Sequence, residues 1–524
     1  MFSLNSEFLT MTFSARFAKM VLGWIRFQKI PRCRRSRVTL QFGTSGVRGL
    51  VTEMTDLDCY LYTLAFLRHV RGKRSPGAVG IAGDYRSSTP RIKRAVAFAA
   101  SQEGMTLEDW GAIPAPAVTH FGIRNNLPSI MVTGSHVPDD RNGIKFNTPY
   151  GEILKSDEKA ISRLYLELKD RETFECRQAP SPFTEQGDLK PACQQELGKE
   201  NPKPRKTYLE RYLSCFPPGC FKGSKVVFYQ HSSVLREILL EILEALGAEV
   251  VSVGRSERFV PVDTEAVENA EQLSAWVRES GADVLVSADG DGDRPLIVDE
   301  NGALVRGDVL GILVADFLSA DSVSAPVSCN TALEKCGRFP HVSRTRIGSP
   351  FVIEAMQKAL GAGHQRVVGF EANGGFLTAS DLAVPGLNST LTALPTRDAA
   401  LPILALLFRS VHRRESISRL VSDLPQRFTQ SGLLRDFPTK RGQELMDKFC
   451  RDGKSLAEDL FKSLLGPVQS FDFTDGARMF FVNGDIVHLR PSGNAPEFRC
   501  YTESFSEARA REINAAVLDV IRRQ

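Results

Sequence analysis

Residues 287–294 read Ser-Ala-Asp-Gly-Asp-Gly-Asp-Arg, directly after the apolar run Val284-Leu285-Val286. No other stretch restricts the chain so strongly. Asp289, Asp291 and Asp293 alternate with glycine, and three carboxylates that close repel one another unless a cation sits among them. Gly290 and Gly292 let the backbone curl so that all three acids can converge on one point. An oxygen-only ligand set suits Mg²⁺ and argues against zinc, which marks the chain as a metal-dependent enzyme. An EF-hand loop would also open on alternating aspartates and close on Glu300. However, Arg294 stands where that loop needs glycine, Pro295 follows it, and the preceding residues read as strand. A phosphatase with an aspartate nucleophile could present a similar Asp-x-Asp pair, and a solvated acidic turn is the plain alternative.

At 524 residues the chain exceeds what one core supports, and three or four domains are expected. From Thr39 onward, short apolar strands alternate with helical patterns. Residues 79–82 precede 91–101, and residues 225–229 precede 235–246. Residues 284–287 and 367–369 are further strands. This alternation predicts α/β architecture with mixed, largely parallel sheets. The polar stretch 174–204, broken by five prolines, predicts a linker. Further boundaries are expected near 298–308 and between 411 and 432. A strand at 498–502 and an amphipathic helix at 506–521 close the chain. The divisions read as 38–180, 205–303, 304–412 and 425–524, after a basic extension of residues 1–37.

The net charge of +4 is unevenly spread, because residues 1–40 hold eight Lys/Arg against Glu7 alone. The remainder, near −3, gives no reason to expect nucleic-acid binding. Ten scattered cysteines without a Cys-x-x-Cys pair point to a reducing, cytoplasmic setting. No apolar run approaches the roughly 18 residues that cross a bilayer, so no membrane partner is expected for the body of the chain. The extension mixes arginines with Phe, Leu and Trp24, as a transit peptide or surface helix would. An over-extended gene start, with translation beginning at Met11 or near Val38, is the favoured reading.

Four further loops carry chemistry. Thr133-Gly134-Ser135-His136 follows an apolar strand, which exposes the Ser135 hydroxyl for nucleophilic or phosphoryl-carrying work. A serine hydrolase is disfavoured, since Gly-x-Ser-x-Gly is absent. Gly43-Thr44-Ser45-Gly46-Val47-Arg48-Gly49 joins backbone N–H groups to one guanidinium, a natural phosphate cradle. Gly369-Phe370-Glu371-Ala372-Asn373-Gly374-Gly375 sets a carboxylate and a carboxamide where both can meet vicinal sugar hydroxyls. The run from Arg490 to Arg499 gathers two arginines with Ser492, Gly493 and Asn494 into an anion pocket. Together they suit movement of a phosphoryl group between positions of a sugar phosphate.

The serine loop, the aspartate loop, the sugar loop and the anion pocket, in that order within a similarity running from about Leu40 to the C-terminus, resemble the α-D-phosphohexomutase superfamily, bacterial phosphomannomutases and phosphoglucomutases above all. The resemblance implies a heart-shaped arrangement of three α/β domains and a smaller C-terminal α+β domain. It implies that Ser135 is the phosphoserine and His136 its loop neighbour. Mg²⁺ would be held by a phosphoserine oxygen with Asp289, Asp291 and Asp293, and Arg294 would lie close by. Lys145 and Arg48 match positions of acid/base work and charge stabilisation. Glu371 and Asn373 would grip the sugar, Arg346 would supply charge, and Arg490, Ser492, Gly493, Asn494 and Arg499 would hold the distal phosphate. The implied reaction passes through a hexose 1,6-bisphosphate, which also serves as activator. The sequence departs from the usual residues at Gly134, Val137, Phe370 and Asn373, and at Ser349, where relatives often have histidine. Mannose phosphate is the favoured substrate because the run 139–145 looks like bacterial phosphomannomutases; glucose and glucosamine phosphates are the near alternatives. A Mg²⁺-dependent phosphatase and a non-catalytic sugar-phosphate sensor are the readings from other classes. The oligomeric state is not legible.

Overall fold

Strand runs rich in Val and Ile build four sheets in the computed structural model, whose described residues are 40–43, 46–72, 77–175, 181–492 and 496–524. The basic extension 1–37 lies outside them. The first sheet holds β1 (Gln41–Phe42), β2 (Val47–Leu50), β3 (Ala78–Gly83), β4 (Thr106–Asp109), β5 (Ser129–Val132), β6 (Arg141–Thr148) and β7 (Gly151–Glu152). Its order is β1-β2-β6-β5-β3-β4, with β7 beside β6. The second holds β8 (Lys225–Tyr229), β9 (Glu249–Val253), β10 (Val284–Ala288), β11 (Pro295–Asp299) and β12 (Leu304–Val305), in the order β12-β11-β10-β8-β9. The third holds β13 (Ser322–Pro326), β14 (His341–Thr345), β15 (Val367–Phe370), β16 (Phe376–Thr378) and β17 (Leu394–Asp398), in the order β14-β13-β15-β16-β17.

These three sheets share one plan. A parallel trio (β5-β3-β4, β10-β8-β9 or β14-β13-β15) continues into antiparallel strands on one flank. Parallel neighbours need a crossover, and helices Thr89–Gln102, Ala115–Asn125, Arg236–Ala245, Ala270–Ser280 and Ser349–Gly361 supply it. Covered on both faces, strands such as β5 and β10 are buried at every residue, which is why they read as unbroken apolar runs. The fold is thus the expected α/β class, with mixed sheets.

The fourth sheet, β18 (Phe428–Leu434), β19 (Val468–Asp472), β20 (Ala477–Phe481), β21 (Ile486–Pro491) and β22 (Phe498–Ser504), is antiparallel throughout. Helices Thr439–Leu465 and Glu507–Arg523 pack on it around Phe449, Phe461, Phe498 and Ile513. One apolar cluster runs from Phe121 through Leu239 to Leu404 across the first three sheets, whereas the fourth keeps its own core. It meets the third through polar contacts such as Asn330 Nδ2 donating to Arg427 O at 2.7 Å and Thr331 N–H donating to Glu503 at 3.1 Å.

Residues 181–201, within the polar proline-rich stretch, lie against the first sheet's helices. Phe183 and Leu189 are buried beside Phe98, and Leu189 N–H donates to Asp56 at 2.9 Å. Helix Lys203–Leu213 then keys onto the end of β17. Tyr208 donates to Asp398 at 2.6 Å, Tyr212 donates to the other carboxylate oxygen, and Ala400 N–H caps the carboxylate at 2.9 Å. Asp398→Ala would leave two buried hydroxyls without an acceptor, an expected cost of about 3 kcal/mol. Urea unfolding checks this, and an unchanged midpoint would show the network to be dispensable. Among the described residues no helix is long and apolar enough to cross a membrane.

Candidate active site

The Ser135 loop and the aspartate loop both leave the carboxyl ends of parallel strands, β5 and β10, where α/β sheets open their clefts. Ser135 is fully buried and takes a left-handed backbone, φ 58°, a conformation that a non-glycine residue keeps only where its surroundings enforce it. Arg86 enforces it. Its guanidinium donates to the carbonyls of Ser135 (2.9 Å), Val137 (2.5 Å), Pro138 (2.6 Å) and Arg141 (3.0 Å). Asp84 in turn holds Arg86 at 3.1 Å and accepts from Thr133 Oγ1 at 2.7 Å, while Thr133 Oγ1 accepts from Ser135 N–H at 2.7 Å. Gly134 is glycine because a Cβ there would stand 2.6 Å from Arg86 Cζ. Sequence reasoning missed Asp84 and Arg86. Their one signal is a pair of charges immediately after the apolar strand β3.

In the aspartate loop, Asp289 Oδ1 accepts the Asp293 and Arg294 N–H groups, both at 3.1 Å, and closes the turn on itself. Gly292 supplies the left-handed corner at φ 70°. Asp289 Oδ2 accepts the Ser135 hydroxyl at 2.5 Å, so the two loops meet at that hydroxyl. Ligand atoms of Asp289, Asp291 and Asp293 lie within 4.8 Å of one another, and all three residues are buried. Asp291 Oδ1 and Asp293 Oδ1 are buried without any hydrogen-bond donor. Buried carboxylate oxygens without a donor, on three acids this close together, fit a hard cation, and the triad could hold a metal ion. Burial, with Asp291 and Asp293 beside it, pushes the Asp289 carboxyl well above the usual carboxylate range. Burial would raise Asp293 too, but Arg397, Lys145 and Arg294 outweigh it and hold that carboxyl well below.

Cations surround the triad. Lys145, on β6, donates to Asp291 at 2.5 Å and Asp293 at 2.6 Å. Burial alone would lower its pKa, yet those two carboxylates hold the ammonium above its ordinary value. Arg294 Nε sits 3.7 Å from Asp293 and 3.9 Å from Asp289. Arg48, on β2, is pushed down to about 10 by burial and then by Arg294. His136 Nδ1 is 3.3 Å from the Ser135 hydroxyl; burial, then Arg294 and Arg48, keep its imidazole neutral by pushing it well below the ordinary range. Thr44 and Ser45 of the glycine-rich turn lie outside the described residues.

Glu371 reaches this group through Arg397, a residue the sequence did not single out. Arg397 donates to Asp293 at 2.9 Å and to Glu371 at 3.0 Å. Asn373 Oδ1 accepts Gly375 N–H at 3.0 Å within its own turn.

Arg346 belongs to a second group. Its Nε donates to Thr474 O at 3.2 Å, and Ile347 N–H donates to Asp475, the carboxylate that also lies 3.5 Å from Arg490 Nε. Ser492 N–H donates to Glu497 O at 2.8 Å, and Arg499 reaches the Glu497 carboxylate at 3.4 Å. Gly493 and Asn494 lie outside the described residues. Ser349, in the position where histidine was the family expectation, donates to Glu152 at 2.7 Å, and Thr396 donates to the same carboxylate at 2.5 Å. Glu152 also went unnoticed in the sequence; with Lys145, Asp293 and Thr396 it lines a cavity of about 20 Å³ beside the triad.

Four family models match in chain order. Phosphoglucomutase/phosphomannomutase alpha/beta/alpha domains I, II and III match residues 39–172, 207–302 and 306–428, and the C-terminal domain of the same family matches 445–520. A phosphomannomutase of Sinorhizobium fredii is 42% identical over 92% of this chain and 98% of its own. A phosphomannomutase of Salmonella muenchen is 41% identical over 92% and 96%. The crystal structure of a phosphoglucomutase/phosphomannomutase family protein from Burkholderia thailandensis superposes with a TM-score of 0.69 at 19% identity, covering 92% of this chain and 96% of that one.

Proposed function

The chain belongs to the phosphoglucomutase/phosphomannomutase family and is a phosphohexomutase, and from that premise we propose that it interconverts mannose 6-phosphate and mannose 1-phosphate with Ser135 as the phosphoryl carrier. The observation that carries this reading is the buried Ser135 hydroxyl set 2.5 Å from Asp289, in a ring of cations. In the first half reaction the Oγ–P bond of phosphorylated Ser135 breaks as a sugar hydroxyl forms its own bond to phosphorus. The hydroxyl proton leaves to a basic group of the site, for which Arg48, pushed down to about 10 by burial, is the candidate, and the freed Ser135 Oγ takes up a proton; Lys145 stays an ammonium. The hexose 1,6-bisphosphate then turns around and returns its other phosphate to Ser135 Oγ. A trace of the bisphosphate would activate the enzyme by the same return step.

Phosphoryl transfer needs little covalent help and much charge stabilisation. Arg294, Arg48 and Lys145 supply it from fixed positions. Mg²⁺, held by Asp289, Asp291, Asp293 and a phosphoserine oxygen, would add positive charge at the transferring group. Glu371 and the Asn373 amide would take the sugar hydroxyls, and Arg490, Ser492, Gly493, Asn494 and Arg499 the far phosphate. The separate core of the C-terminal domain supports a clamp that reorients between half reactions. Two relatives above 40% identity, both named phosphomannomutase, support mannose over glucose or glucosamine.

Turnover of mannose, glucose and glucosamine 1-phosphates, with Mg²⁺ and a trace of bisphosphate, tests the substrate. The highest kcat/KM is expected for mannose 1-phosphate, and a higher value for either competitor would reassign it. Arg490→Ala should raise KM roughly 10–100-fold with little change in kcat, through loss of a charge-assisted contact of about 1.5–3 kcal/mol. An unchanged KM would remove Arg490 from the clamp.

A further inference from the structure

Arg397 lies on β17 with 3% of its side chain exposed, and its fork is shared between two loops. Nη2 holds Asp293 Oδ2 of the aspartate loop and Nη1 holds Glu371 Oε2 of the sugar loop, contacts of 2.9 Å and 3.0 Å. Because Lys145 also donates to Asp293 Oδ2, the oxygen left without a donor is Oδ1, 3.7 Å from Arg294 Nε. The arginine itself cannot swing away. Its neighbour Asp398 is fixed by Tyr208, Tyr212 and Ala400 N–H, and pairs with Phe376 across β16. Its stem fills the space over Gly375, where a Cβ would stand 2.7 Å from Arg397 Cδ. A planar guanidinium can serve two carboxylates at a set spacing, which a lysine ammonium on a flexible stem cannot.

We infer that Arg397 is a positioning residue that fixes the sugar-reading carboxylate Glu371 and the metal-loop carboxylate Asp293 at one spacing, so that Glu371, on another sheet, tunes cation affinity at the aspartate triad. The inference rests on the reading of that triad as the Mg²⁺ site.

Mn²⁺ binding to the full chain, followed by electron paramagnetic resonance without substrate, tests it. Groups that orient a metal's ligands govern affinity by roughly 10–100-fold. Arg397→Lys, which keeps the charge and loses the fork, should weaken Mn²⁺ binding by that much with little change in thermal midpoint. Glu371→Gln should weaken it about tenfold, because the guanidinium then stands uncompensated beside Asp293. In the Arg397→Lys background Glu371→Gln should add almost nothing, since both act through one contact. No effect of Glu371→Gln in the otherwise unaltered chain would overturn the inference, as would additive effects in the double variant. Glu371→Gln is nearly isosteric, so the test stands even where Arg397→Lys fails to fold. An unaltered chain that binds no Mn²⁺ would overturn the metal reading itself, an outcome distinct from the other two.

Discussion

Ser135→Ala is expected to abolish hexose-phosphate isomerisation, a loss of roughly 10⁵–10⁶-fold, the scale seen when a covalent nucleophile is removed from an otherwise intact site. The substitution deletes the atom proposed to carry the phosphoryl group, and its two hydrogen-bond partners, Asp289 and the neutral His136, partner that hydroxyl without replacing it. The loop should survive. Arg86 holds it by backbone carbonyls and Thr133 holds the residue 135 N–H, contacts that an alanine keeps. Serine already accepts the left-handed backbone at this position, so alanine adds little strain. The thermal midpoint should therefore stay near that of the unaltered chain, and incubation with hexose 1,6-bisphosphate should no longer phosphorylate the protein. Release of inorganic phosphate that persists in the variant would identify a phosphatase instead. Sugar-phosphate binding without turnover by the unaltered chain would identify a sensor.

What could be read in the sequence was what lies close together in it. The aspartate loop announces itself within five residues, because alternating carboxylates and glycines have few other uses. The same holds for Ser135 after β5 and for Glu371 and Asn373 after β15, each a polar turn on a buried strand. The α/β class followed from nearly fully buried strands, such as β3, β8, β10 and β15, alternating with helical patterns. The supports were not legible. Arg86 lies 49 residues before Ser135 and Arg397 lies 104 after Asp293, and only the sheet order brings them together. Single arginines at strand ends carry no periodicity, so neither Arg86 nor Arg397 could be told from a surface charge. Phe183 and Leu189 were hidden in a stretch whose average is polar. Ser349 looked like a missing histidine; its partner Glu152 sits 197 residues away, on a two-residue strand that no pattern marks.

Asp291→Ala should cost roughly 10³-fold or more in turnover, since it removes a ligand from the proposed Mg²⁺ site and with it the charge at the transferring phosphoryl group. Its effect on stability should run the other way. Asp291 is one of three buried like charges, and the repulsion among them, added to burial, is what lifts the Asp289 carboxyl. Removing one charge relieves that repulsion, while Lys145 keeps Asp293 as a partner at 2.6 Å. In metal-free buffer the variant should unfold at the same or a higher temperature than the unaltered chain. Mg²⁺ at about 100 times its Kd should then stabilise the unaltered chain by about 2.7 kcal/mol and leave the variant unmoved. Chelation of the unaltered chain should reproduce the loss of turnover, and added Mg²⁺ should restore it. Full activity after chelation would remove the metal from the reaction, and a Mg²⁺-induced rise in the variant's midpoint would place the cation elsewhere. The opposite signs matter: a carboxylate kept for packing would destabilise on removal, whereas one kept for a cation holds the metal-free fold under strain.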